Sequence, residues 1–324
     1  MPIVDLVDPE LSAYQSSAVP PNDLLEFWNE TIAESRAMAT PPTLVPVGTG
    51  LRLVQTWDVT FSGYGGQPIR AWYHRPAGLA DEKLPVVIRY VGYGGGRGLP
   101  HQSSIWVDAG FGHLVMDTRG QGSSWSPGDT ADPVGSDPAA PGSMTQGITD
   151  PATYYYRRVF TDAVLAVDLV HSLDGVDPTR VVVTGMSQGG GIALAVAGLT
   201  RGLAAVMADV PFLCDYRRGV NLAQTPPYSE IGEYLRAHPD HVERVFRTLA
   251  YFDASLLAAW ASSPALFSVA EMDRTCPPST VFAAFNAYAG PKEIRRYAFN
   301  DHEGGQGFHE REQLRWLPAT LGLA

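Results

Sequence analysis

Ser187 stands in Gly185-Met186-Ser187-Gln188-Gly189, with Val181-Val182-Val183-Thr184 before it and Gly190-Gly191-Ile192-Ala193-Leu194-Ala195 after it. The β-branched run reads as a strand and the apolar stretch as a helix, so the pentapeptide is the turn that joins them. A serine on so sharp a turn is carried out to the end of the sheet. Its neighbours must be small, because a Cβ there would meet the adjoining strand and helix. The chemistry that suits such a residue is covalent: a hydroxyl that attacks a carbonyl and carries the acyl group away. The same spacing occurs by chance in glycine-rich loops. The strand before and the helix after separate the two readings, and Ser187 is the candidate nucleophile.

A serine hydroxyl needs a base, and the base a carboxylate to orient it. In this architecture the chain order is Ser, then Asp or Glu, then His. Four histidines follow Ser187. His238 and His241 lie among charged residues and read as solvated; His309 reads as part of the polar face of a final helix. His302, in Asn300-Asp301-His302-Glu303-Gly304-Gly305, falls directly after a strand and before a helix, and is the candidate base. The acid should also follow a strand. Asp273, at the end of Ala265-Leu266-Phe267-Ser268-Val269-Ala270-Glu271-Met272-Asp273, is preferred over Glu271 because it lies deeper in the turn. Cys276 has no such turn around it and reads as a small buried hydrophobe. Acyl transfer also needs N–H donors for the developing oxyanion. The backbone N–H of Gln188 is one, and that of Tyr93, in Val91-Gly92-Tyr93-Gly94-Gly95-Gly96-Arg97-Gly98, is the other. This loop has neither the Lys-Ser/Thr of a phosphate-binding loop nor a helix-opening Gly-x-Gly-x-x-Gly, which sets aside a nucleotide site. No cofactor or metal is expected.

The elements that must position these groups follow from periodicity. A helix is expected over Leu24–Ala37, with Trp28 and Ile32 on its buried face and Asn22-Asp23 at its start. Alternation over 54–61 and 69–74, split by Gly63-Tyr64-Gly65-Gly66, reads as an antiparallel hairpin. Buried strands are then expected at 86–90, 113–116, 181–184, 204–209, 265–269 and 294–299, with helices at 160–173, 190–199, 279–289 and 308–317. This alternation implies a mostly parallel sheet with helices on both faces and the hairpin as an antiparallel edge. Two insertions interrupt it. Residues 123–153 are rich in Pro, Gly, Asp and Ser, as functional or interface loops are. Residues 212–257 contain helical stretches at 228–236 and Val242–Leu249 and would form a small cap. The expectation is one domain over 1–324, with residues 1–40 as an N-terminal arm.

Bulk composition sets outer limits. The 324 residues are 45% hydrophobic and 18% charged, as in an ordinary globular protein. A net charge of −11 argues against nucleic acid or anionic membrane as a partner. Two cysteines are too few for a disulfide framework or a structural zinc site and suggest a reduced setting. The N-terminus lacks the charge and apolar run of a signal peptide, and no apolar run approaches ~18 residues, so a cytoplasmic protein without a membrane span is expected.

Several segments together are more specific than the turn alone: Gly92-Tyr93-x-Gly-Gly, Asp117-Thr118-Arg119-Gly120-Gln121-Gly122, Tyr154-Tyr155-Tyr156-Arg157-Arg158, Gly185-x-Ser187-Gln188-Gly189-Gly190-Gly191, Asp209-Val210-Pro211-Phe212-Leu213-Cys214, Asp273-x-x-Cys276-Pro277-Pro278-Ser279-Thr280 and His302-Glu303-Gly304-Gly305. In these the chain resembles the acetyl xylan esterase and cephalosporin C deacetylase family of the α/β-hydrolases, over about residues 50–310. The resemblance implies the α/β-hydrolase fold, Ser187, Asp273 and His302 as a catalytic triad, and Tyr93 and Gln188 as the oxyanion hole. It implies deacetylation of small acetylated sugars, xylo-oligosaccharides and cephalosporins. It also implies a homohexamer, a trimer of dimers, with the 123–153 loop at the dimer contact and Arg119 and Gln121 holding that loop. One position departs from the family's pattern. Met186 stands where many relatives carry glycine and is expected to crowd the turn. Pro227 and Tyr228, in the cap segment Thr225-Pro226-Pro227-Tyr228, are expected to line the acyl pocket. Other readings remain at this point: a general short-chain carboxylesterase, a dienelactone-type hydrolase or peptidase on the same fold, or a non-catalytic assembly protein. The last would have lost a triad member, and none is missing.

Overall fold

In the middle strands neighbouring residues bury against different cores: Val86 and Ile88 pack into one cluster and Val87 into another, with Val181 and Val183 set against Val182 in the same way. Strands apolar on both sides belong inside a sheet covered on both faces. The computed structural model, which describes residues 4–79, 82–102, 105–134 and 142–323, shows that sheet. Among the described residues its nine strands are β1 Thr43–Pro46, β2 Val54–Ser62, β3 Pro68–Pro76, β4 Leu84–Tyr90, β5 Gly112–Met116, β6 Val176–Met186, β7 Ala205–Asp209, β8 Ala265–Ala270 and β9 Lys292–Tyr297. Their spatial order is β1-β2-β3-β5-β4-β6-β7-β8-β9. From β5 to β9 all pairings are parallel; β1, β2 and β3 join antiparallel at one edge. The expected hairpin is the β2–β3 pair, running from Val54 opposite Pro76 to Ser62 opposite Pro68. The edge strand β1 is additional: four residues are too few for alternation to reveal.

The helices are α1 Leu24–Ala37, α2 Ile105–Asp108, α3 Tyr155–Ser172, α4 Gln188–Leu199, α5 Tyr216–Leu222, α6 Tyr228–Ala237, α7 Val242–Leu249, α8 Ala254–Leu257, α9 Pro278–Ala287 and α10 Gln306–Thr320. One face of the sheet carries α1, α3 and α4; Trp106 of α2 and Leu317 of α10 cover the other. Trp28 and Ile32 of α1 are buried as expected, and Trp28 sits in an aromatic cluster with Phe27, Phe160 and Phe252. Asp23 does not cap α1 through its side chain; it accepts the Tyr251 hydroxyl at 2.6 Å. The 212–257 segment supplies α5 to α8, and α8 lies so close on α4 that a Cβ at Gly198 would come within 2.1 Å of the Leu257 carbonyl oxygen. The middle of the expected interface loop, residues 135–141, lies outside the described residues.

One pair in the sheet makes stability depend on pH. His74 of β3 and His113 of β5 are register partners, both fully buried, with rings 6.1 Å apart. Burial pulls the His74 imidazole down to about 4 from an ordinary 6.5, and burial, then His74 and Arg89, depress His113 as well. A depressed histidine stabilises fully above its unfolded pKa, and the contribution is lost as pH falls through the 6.5 to 4 window, because only the unfolded chain takes up the proton. For His74 alone this removes about 2 kcal/mol by pH 5. Thermal unfolding is therefore expected to weaken between pH 7 and 5, and a His74→Phe variant to lose less over that interval. Parallel pH curves for the two proteins would remove His74 as the cause.

Candidate active site

The turn after β6 is strained in the way its glycines suggest. Ser187 has φ 57° and ψ −121°, in the left-handed half of backbone space. A Cβ at Gly185 would stand 2.3 Å from the Gly189 backbone, and one at Gly189 would stand 2.1 Å from the Tyr90 carbonyl oxygen. Only glycine lets β4, β6 and α4 close so tightly around the serine. The Ser187 N–H donates to the Asp209 carbonyl at 2.9 Å, and the Ser187 carbonyl accepts from Phe212 N–H at 2.9 Å, so β7 and the segment after it brace the turn. Met186 does not crowd it. Its side chain is 38% exposed and lines a cavity of about 330 Å³ with Arg89, Trp106 and Glu310. The alternation of β6 sends it to the α2–α10 face, away from the serine.

The three residues read from strand ends meet. His302 Nε2 lies 3.0 Å from Ser187 Oγ, and His302 Nδ1 lies 2.9 Å from Asp273 Oδ2. Asp273 is fully buried; its other oxygen accepts the N–H groups of Thr275 and Cys276, each at 2.8 Å. Those two donors fix the carboxylate plane so that one oxygen always faces the imidazole. Glu271, the rival acid, instead pairs with Arg296 at 2.7 Å on the surface side of the sheet. Cys276 is buried beside the Ser187 hydroxyl, and burial pushes its thiol well up, which keeps it protonated. Asp273, Cys276 and His302 form, among the described residues, the one group of three with possible metal-ligand atoms all within 4.8 Å of one another. As placed, the carboxylate and imidazole are engaged with each other and with Ser187.

The glycine loop after β4 lies against this turn. Among the described residues, neither the Tyr93 N–H nor the Gln188 N–H is taken by a carbonyl or a side chain. Their neighbours are heavily bonded. The Gln188 side chain donates to the Val91 carbonyl at 3.0 Å and accepts the Tyr156 hydroxyl at 2.7 Å. Gln121 accepts the Gly94 N–H at 2.7 Å and exchanges amide hydrogen bonds with Gln188 at 2.9 and 3.2 Å. Gln121 thus ties the glycine loop to the serine turn rather than holding the 123–153 loop. Arg119 does hold that loop: it forms a buried ion pair with Asp162 and reaches Asp132, which Arg158 also binds.

A family profile described as Acetyl xylan esterase (AXE1) matches residues 1–320. The chain belongs to the acetyl xylan esterase family. Its fold superposes on an acetyl xylan esterase from Paenibacillus sp. R4 with a TM-score of 0.89 at 38% identity, covering 97% of this chain and 99% of that one. Acetyl xylan esterase 1 from Thermoanaerobacterium sp. JW/SL YS485 gives a TM-score of 0.90 at 32% identity, covering 98% and 99%. The chain is also 27% identical over 208 residues to the acetyl esterase Axe7A of Xylanibacter ruminicola; the match spans 63% of this chain and 45% of that longer relative.

Against this esterase-family frame, other residues lie where the sequence did not suggest. Tyr228, expected at the acyl pocket, is fully buried: its hydroxyl donates to the Cys214 carbonyl at 2.6 Å and its ring lies 4.4 Å from that of Phe212. Pro227 is buried beside it. Both support the cap and offer no open wall, because the hydroxyl is needed to satisfy the Cys214 peptide. His309, expected on a polar outer face, is buried between Asp209 at 2.6 Å and the Tyr297 hydroxyl at 3.0 Å. The Asp209 carboxylate at the end of β7 draws in His309 and Gln313 from α10 as donors. His238 and His241 are half-buried and stacked, with His241 on the Tyr234 hydroxyl at 2.9 Å. Glu230 was not foreseen: an acid in a cap helix ordinarily marks a solvated face, yet it is buried against Tyr93. Among the described residues no helix is long and apolar enough to cross a membrane.

Proposed function

We propose that this chain is a serine esterase that removes acetyl groups from small esters, namely acetylated xylo-oligosaccharides, simple acetylated sugars and acetylated cephalosporins, through an acetyl-enzyme intermediate. The observation that carries the reading is the Ser187–His302–Asp273 hydrogen-bond chain, at 3.0 and 2.9 Å, beside two N–H groups without a partner among the described residues. His302 takes the Ser187 proton as Oγ attacks the acetyl carbonyl carbon. Asp273 holds Nδ1–H and stabilises the imidazolium. The N–H groups of Tyr93 and Gln188 receive the tetrahedral oxyanion, a contribution of roughly 10²–10³ in rate for a single donor. The C–O bond to the sugar breaks as His302 returns its proton to the leaving alcohol. Water then attacks the acetyl-Ser187 ester by the same route and releases acetate.

The test is a panel of acetyl, butyryl and octanoyl p-nitrophenyl esters with acetylated xylose, cellobiose and cephalosporin, ranked by kcat/KM, together with a fluorophosphonate label mapped by peptide mass spectrometry. Acetyl esters are expected to exceed octanoyl by about 100-fold, with the label on Ser187. A preference for octanoyl, or a label on any other residue, would sink the proposal.

A further inference from the structure

Several buried carboxylates take no part in the mechanism, and one of them faces the glycine loop. Glu230, in the first turn of α6, is 5% exposed and takes part in no ion pair with a described residue. Both its oxygens lie 2.8 Å from the Tyr93 hydroxyl, which donates to them, and one also accepts the Met144 N–H at 3.1 Å. The Tyr93 hydroxyl oxygen in turn accepts the Ser143 N–H at 2.5 Å. The backbone makes room for the acid: Gly142 has φ 106°, and a Cβ there would lie 2.2 Å from the carboxylate. Burying an acid without a cationic partner is costly, and loss of water pushes its pKa up. The cost is offset by the hydrogen bonds it accepts from Tyr93 and Met144.

What it holds is the far end of Tyr93. The near end is held as well, since the Trp125 indole N–H donates to the Tyr93 carbonyl at 2.9 Å. Both anchors hold the residue from whose backbone the Tyr93 N–H projects. We infer that Glu230 is a positioning residue for the oxyanion hole, gripping the Tyr93 side chain from the cap so that the Tyr93 N–H stays aimed at the developing oxyanion. The inference rests on the serine-esterase reading of the site. It also makes the 142–144 segment and α6 parts of one clamp that closes on the Tyr93 hydroxyl. A donor displaced by about 1 Å loses most of its effect on the transition state while the ground-state ester still binds.

Glu230→Gln and Glu230→Ala test it in the full-length protein. An amide keeps the shape of the acid and an acceptor for the Met144 N–H, but it turns its NH₂ toward the Tyr93 hydroxyl, which loses one of its two acceptors. The expected losses in kcat for p-nitrophenyl acetate are ~10-fold for Gln and ~100-fold for Ala, with KM within about threefold. The inhibition constant of a trifluoromethyl ketone, which occupies the oxyanion hole as a hemiketal, is expected to rise by the same factors. Tyr93→Phe is expected to match Glu230→Ala, with no further loss in the double variant. The Gln variant carries the test if the Ala variant does not fold. Rates within twofold of wild type, or a loss confined to KM with an unchanged ketone constant, would overturn the positioning role. Hydrolysis at near wild-type rate in Ser187→Ala would instead overturn the underlying serine-nucleophile reading.

Discussion

Ser187→Ala is expected to lower kcat for p-nitrophenyl acetate by about 10⁵- to 10⁶-fold, leaving only the contribution of binding and the oxyanion donors. The hydroxyl is the only described group that His302 Nε2 meets across the site, at 3.0 Å. Without it the imidazole can at best activate water, and no covalent intermediate forms. The neighbouring Cys276 cannot replace it, because burial raises its pKa and little thiolate exists near neutrality. Folding should be untouched. The strain at φ 57° is a property of the backbone, alanine meets the same Ramachandran cost, and the braces from Asp209 and Phe212 are main-chain bonds. Steady-state rates on protein whose melting temperature matches wild type provide the check. A variant retaining more than about one hundredth of wild-type kcat would rule out the serine as nucleophile.

Asp273→Asn is expected to cost about 10⁴ in kcat with little change in fold. The argument turns on which way the amide faces. One carboxylate oxygen accepts two backbone N–H groups, from Thr275 and Cys276 at 2.8 Å, and in the variant the amide carbonyl must take that place. The NH₂ group is then turned toward His302 Nδ1, where the carboxylate now sits at 2.9 Å. A donor at that point forces the imidazole proton onto Nε2, which then faces Ser187 with a hydrogen and can no longer accept one. The wrong tautomer, rather than a lost charge alone, disables the base. Measured kcat within tenfold of wild type, with the melting temperature unchanged, would show that Asp273 does not set the tautomer.

The site divides into parts that local sequence encodes and parts that it does not. Ser187, Asp273 and His302 were legible because each sits at a strand end, where alternation of strand and helix announces a loop, and because glycine marks the strained turn. Gln121, Glu230 and His309 were not. Each finds its partner far along the chain: Gln121 meets Gln188 across 67 residues, His309 meets Asp209 across 100 and Tyr93 meets Glu230 across 137. Nothing in the pattern around Glu230 or His309 distinguishes a polar residue on a solvated helix face from one folded inward onto a buried acceptor. Tyr228 failed as a pocket residue for the same reason, its hydroxyl being claimed by a backbone peptide 14 residues away. The edge strand β1 and the single-turn helix α2 were missed because four residues hold too little periodicity to read.

Most of the order of strands and helices, the strained serine turn and the chain order Ser187, Asp273, His302 can be read from the sequence without a structure. These are properties of nearest neighbours: β-branched runs, apolar spacing and the absence of a Cβ where backbones must touch. The tertiary structure alone decided which polar groups are buried, which amides brace the glycine loop, where Met186 turns its side chain and how the cap reaches Tyr93. Those outcomes depend on desolvation, and a side chain loses its water only when distant segments close over it.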